Sequence, residues 1–156
     1  MSSQDAAQVA SEEQLVRLLF STRMVDDSGT LGKEAFPVDE LIEKSGKSVS
    51  VDELSKLDMP EHVDNKLETY QNPARDRHRW GFALAVCSQI TSIMSQEGLQ
   101  VYSVLKDPIE GNFPPAPWDH AHAKIIRADS SFGKGFVRGY RDKLTELYQE
   151  NVEALP

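Results

Sequence analysis

The chain reads as α+β: a single compact domain, a small mixed sheet with flanking helices and an amphipathic C-terminal helix. Three observations predict this: short runs of β-branched and aromatic residues, a helical repeat of apolar residues near the C-terminus, and no repeat or charged linker dividing the chain. Its 156 residues, 39 % apolar and 27 % charged, suit one hydrophobic core. Residues 1–10 read as a flexible polar tail, which leaves 11–156 as the domain.

Residues 12–20, with Leu15, Leu18 and Leu19, suit a helix or a buried strand and read here as a strand. Asp26-Asp27-Ser28-Gly29 predicts a turn, because Asp and Ser side chains bond nearby amides and glycine accepts positive φ. Residues 39–44 form a short helical turn ended by Ser45-Gly46. Residues 48–51 alternate polar with β-branched side chains as a half-buried strand does, and Asp52 then caps a short helix to Leu57. Pro60 suits a first helical turn, Val63, Leu67 and Tyr70 share one face, and Asn72-Pro73 ends that helix.

Residues 80–87 form the clearest strand. Trp80, Phe82, Leu84 and Val86 face one way, while Gly81, Ala83, Ala85 and Cys87 make a small-residue face for close helix packing. Ser88 caps a helix carrying Ile90, Ile93 and Met94 and closed by Gly98, and residues 99–105 form a second central strand. Strand, helix and strand in that order suggest a tight crossover joining a parallel pair. Residues 107–118 hold Pro108, Pro114, Pro115 and Pro117 and must be a loop, followed by a strand over 120–128 and a turn over 130–135. Val137, Tyr140, Leu144, Leu147, Tyr148 and Val152 then recur at helical spacing.

A formal charge of −8 argues against general affinity for phosphate backbones or anionic lipid, so nucleic acid and membrane are not the expected partners. The single Cys87 excludes an intramolecular disulfide, and the N-terminal residues lack the basic and apolar parts of a secretory signal; both fit a cytoplasmic protein. Ser45-Gly46-Lys47-Ser48 resembles the end of a phosphate-binding loop, but Leu41 stands where that loop needs glycine. Asp119-His120-Ala121-His122 is the candidate catalytic segment. On a strand His120 and His122 share a face, able to exchange protons or, with His78 as a third ligand, to hold zinc, or else to make ordinary hydrogen bonds at a strand edge. Cys87, before a helix start, is either an activated thiol or a filler of the small face. No cofactor is expected.

Charge is uneven. Residues 26–61 hold ten acids and four bases, whereas 124–143 hold six bases and two acids, which predicts a molecule polar across its length. Lys134, Arg138 and Arg141, at the start of the last helix, form a candidate anion site, and Arg75-Asp76-Arg77-His78-Arg79 is a second basic knot. Phe113 and Trp118, on the proline-rich loop, either tuck onto the body or anchor a partner.

Several fragments together resemble a loose, uncharacterised bacterial family of small cytosolic proteins. They are Arg17 in an opening apolar run, the Gly29 turn, Ala35-Phe36, Ser50-Val51-Asp52, the small-residue strand over 81–87, and Ala121-His122-Ala123-Lys124-Ile125. The resemblance rests on short motifs spread over the chain up to Ile125, departs from the family pattern at Trp118-Asp119, and implies no catalytic role; it draws attention to His122. The expectation from these readings is a non-catalytic protein-interaction or regulatory protein, using an acidic surface and the proline-rich loop to hold another protein of basic character, with its titratable side chains dispersed. The alternative is a small-anion or nucleotide-binding enzyme or sensor that uses His120, His122 and the basic start of the last helix. A homo-oligomer stays open, since the last helix can bury its stripe within the chain or against a second copy.

Overall fold

The computed structural model describes residues 8–156 as one α+β domain built on a six-stranded sheet. The strands are β1 (Gln14–Thr22), β2 (Val49–Glu53), β3 (Arg77–Val86), β4 (Tyr102–Lys106), β5 (His122–Arg127) and β6 (Val152–Ala154), in the order β4-β5-β2-β1-β3-β6. Every strand pair is antiparallel. Most of the tail expected at 1–10 lies outside the described residues. Its inner end is not free, because the Val9 amide donates to the Val104 carbonyl and the Val9 side chain is buried.

β1 is central and buried on both faces, which explains the apolar residues on either side of Arg17. Its register against β3 puts Leu15, Arg17 and Leu19 on the side of Ala85, Ala83 and Gly81, and Val16 and Leu18 on the side of Leu84 and Phe82. The first side packs on Phe36 and Tyr148, whose rings lie 5.1 Å apart. The second carries α2 (Glu61–Tyr70), whose Val63, Lys66 and Leu67 are buried. A bulge between Leu19 and Phe20 lets Trp80 fall out of register.

Several expectations are corrected. Asp52 caps no helix; it lies within β2, paired with Val16 on one side and His122 on the other, and only a 3-10 turn (Leu54–Lys56) follows. The helix after β3 is the short α3 (Cys87–Thr91), and a tight turn over 95–98, with Gly98 at φ +82, returns the chain so that Met94 bridges Gln100. Five helical residues rise about 7.5 Å, too little to carry the chain back along a strand, so no parallel crossover forms and β4 becomes a sheet edge. His120 belongs to a 3-10 turn (Asp119–Ala121), not to β5. The last helix is two pieces, α4 (Lys134–Arg138) and α5 (Arg141–Gln149), divided at Gly139 and Tyr140 because glycine is a poor helix former. Val152 leaves the helix to pair in β6, and Val137, Leu144 and Tyr148 are buried within this chain.

Charge polarity is also reduced by folding. The acidic and basic segments meet, with Glu43 to Lys124 at 2.9 Å and Asp39 to Lys134 at 2.7 Å. Among the described residues, no helix is long and apolar enough to cross a membrane.

Candidate functional site

β1 and β2 are paired only at Leu15 with Glu53 and Val16 with Asp52; beyond that point the two strands separate. The guanidinium of Arg17 fills the opening. Its Nε and Nη2 donate to the Ala35 carbonyl at 3.0 and 2.9 Å, and Nη1 donates to the Ser50 carbonyl at 2.9 Å. A carbonyl exposed by the separated ladder thereby regains a donor, as a buried backbone acceptor must. Burial pulls the Arg17 guanidinium below its usual value, opposed first by the charge of Glu40; an arginine still remains cationic at neutral pH. Of its five N–H groups, three are used and two are left.

A cleft of about 240 Å³ opens at this gap, lined among others by Arg17, Ser50, Asp52, Lys66, Arg77 and His122. The Lys66 ammonium reaches both Asp52 oxygens, at 2.7 and 2.8 Å, with side-chain exposures of 8 % and 2 %. Two of its three protons serve that pair, and one remains. Arg77 lies 3.8 Å from the centre of the Phe20 ring and donates from Nε to the Tyr70 carbonyl; burial lowers its pKa. His122 lies opposite Asp52 across the β2–β5 ladder. Its Nδ1 is 2.7 Å from the Asp107 carbonyl, so in the neutral ring Nδ1 carries the proton and Nε2 is a free acceptor. The Asp107 carboxylate stands 3.4 Å from the same nitrogen. Three cations thus face one carboxylate in a partly enclosed space, with a histidine beside them.

The expected site residues separate. His122 is buried beside the cleft, whereas His120 is exposed and outside the lining, so the two imidazoles do not act as a pair. His78 sits at the far end of β3, exposed and 3.3 Å from Asp76. No group of three metal-ligating side chains occurs among the described residues. Cys87 is buried near the Val9 carbonyl, and burial pushes its thiol up to about 11, so it fills the small face and is not an activated thiol. Lys134, Arg138 and Arg141 do converge, in an open groove with Lys33, but Asp39 neutralises Lys134 there. Trp118 tucks in, while Phe113 is 99 % exposed. The loop between them is held by buried Asp119, whose Oδ2 accepts from Asn112 and from the Ala116 amide.

No protein-family model, curated protein or solved structure matches the chain. Arg17, Ala35, Phe36, Ser50, Asp52 and His122, scattered in sequence, converge: Arg17 bonds Ala35 and Ser50, lies 5.7 Å from the Phe36 ring centre, and shares the cleft with Asp52 and His122. This shared lining differs from the dispersed arrangement of titratable groups that the sequence led us to expect. Lys66 and Arg77 were not among the expected site residues; the available signal for the first was a lysine beside Leu67 on the apolar side of a helix, and spacing does not distinguish Arg77 from Arg75 and Arg79 in the basic knot.

Proposed function

We propose that the protein binds a small organic or inorganic anion, bearing a carboxylate or phosphate, in the cleft at the β1–β2 separation. The observation that carries this reading is Arg17, buried in the opening with two N–H groups to spare and with Lys66 and Arg77 beside it. A guanidinium and an ammonium that are already desolvated and fixed bind an anion with little further ordering cost. The volume fits a ligand smaller than those of typical sites of about 300–1,000 Å³. His122 Nε2 accepts a hydrogen bond from a ligand hydroxyl or exchanges a proton with it, which keeps both a sensor and an acid–base enzyme within this reading.

Thermal unfolding with added phosphate, sulfate, acetate and succinate, against chloride at equal ionic strength, tests it. A ligand at 100 times its Kd contributes about 2.7 kcal/mol, or about 5 to 11 °C for a chain of this size. Arg77→Met, at an exposed position, should fold normally and weaken binding about tenfold or more. No stabilisation of the wild type by any of these anions, nor by an amino acid carrying the same carboxylate, would remove the proposal.

Fully exposed Phe113 on the proline-rich loop favours a second reading, a loop that docks another protein. Affinity isolation with the wild type and Phe113→Ser decides it: partners recovered equally by both count against the loop.

A further inference from the structure

The cleft continues into an outer groove of about 340 Å³, since Arg17, Phe20, Ser50 and Arg77 line both. The two chambers differ in charge. The inner one holds a single carboxylate, Asp52, which Lys66 already occupies. The outer one adds Arg23 and Arg75 together with the carboxylates of Glu34, Glu40 and Asp76, of which Asp76 already accepts from the Thr22 hydroxyl and lies 3.3 Å from His78. Glu40 is half-buried on the short helix α1 (Val38–Leu41), and its carboxylate has neither an ion-pair partner nor a hydrogen bond among the described residues. It lines the outer groove together with Arg17 and Arg77, the two arginines that also line the inner cleft, and its charge acts on both guanidinium groups.

A carboxylate kept near two arginines without touching either would repel a purely anionic ligand. It is complementary to a ligand that brings a cation of its own. Resting on the anion-site reading, we infer that the ligand is a zwitterion of the amino-acid class, with its carboxylate on Arg17 and Arg77 and its ammonium against Glu40. The ammonium pairs with a half-buried carboxylate that has no protein donor among the described residues, and the carboxylate uses guanidinium N–H groups that have no acceptor among those residues.

Matched ligands that differ only by the amine test this by titration calorimetry at pH 7 and fixed ionic strength: glycine with acetate, aspartate with succinate, and glutamate with glutarate. In at least one pair the amine should tighten binding about tenfold or more, as a charged hydrogen bond does. Glu40→Gln, a conservative change at a partly exposed position, should bring that ratio to within about twofold while leaving the amine-free acid bound as well or better. Amine-free acids binding as tightly as their partners, or a ratio unmoved in Glu40→Gln, would overturn the zwitterion inference while sparing the anion site. Failure of all six compounds together with phosphate and sulfate would overturn both.

Discussion

Asp52→Asn isolates the buried ion pair that ties α2 to the sheet. Asp52 and Lys66 meet at 2.7 and 2.8 Å with almost no solvent around them. Removing one charge of such a pair leaves the other buried and uncompensated, which costs about 3 to 5 kcal/mol. Against a total stability of about 5 to 15 kcal/mol this is a large fraction, and it corresponds to a Tm lowered by about 6 to 20 °C. The assay is urea and thermal unfolding followed by circular dichroism, on Asp52→Asn, Lys66→Met and the double variant. Because the two losses share one cause, the double variant should be destabilised by about 2 kcal/mol less than the sum of the singles. Asp52→Asn also frees the Lys66 ammonium, so any anion that stabilises the wild type should raise the Tm of this variant by more. A Tm within about 2 °C of wild type, or strict additivity in the double variant, would refute the claim that this pair holds the helix on the sheet.

Gly81→Ala should detach β6 or destabilise the domain markedly, because a β-carbon there collides with the Glu153 carbonyl; loss of amide-exchange protection at residues 152–154 is the readout. Tyr148→Phe should raise the Tm by about 2 to 4 °C, since the buried hydroxyl has no partner among the described residues and its removal relieves about 1 kcal/mol; a fall in Tm would mean that the hydroxyl is bonded. Stability should fall as pH rises above 9. Burial holds the thiol of Cys87 protonated up to about 11, against an ordinary value of 9.0, and holds the phenols of Tyr102 and Tyr148 protonated as well. The native state then binds protons that the unfolded chain has released, so the Cys87 contribution is complete below pH 9 and declines by about 1.4 kcal/mol per pH unit up to about 11. Urea midpoints from pH 8 to 11 measure this slope, and Cys87→Ala should flatten part of it.

Much of the secondary structure was legible because its causes are local. The turn at Asp26 forms as expected, with its carboxylate accepting from the Ser28 and Thr30 amides and Gly29 at φ +87. The helix after Pro60 follows from Val63 and Leu67 on one face. Errors appeared where one sequence served two geometries. Ser88, Ile90, Ile93 and Met94 have helical spacing, yet the chain turns back after Thr91 and Met94 pairs with Gln100. His120 and His122 have strand spacing, yet the buried Asp119 that organises the proline-rich loop draws His120 into a turn.

By itself, the sequence determined an α+β class, an acidic chain, the turns and the apolar faces, because composition, side-chain period and backbone permission act between near neighbours. Tertiary structure alone decided the strand order, the opening between β1 and β2, and the meeting of Arg17, Asp52, Lys66, Arg77 and His122. Those residues are spread from position 17 to position 122, and no local rule links them. What brings them together is register: a ladder that stops after two pairs leaves a carbonyl to be satisfied, and the nearest buried donor is an arginine.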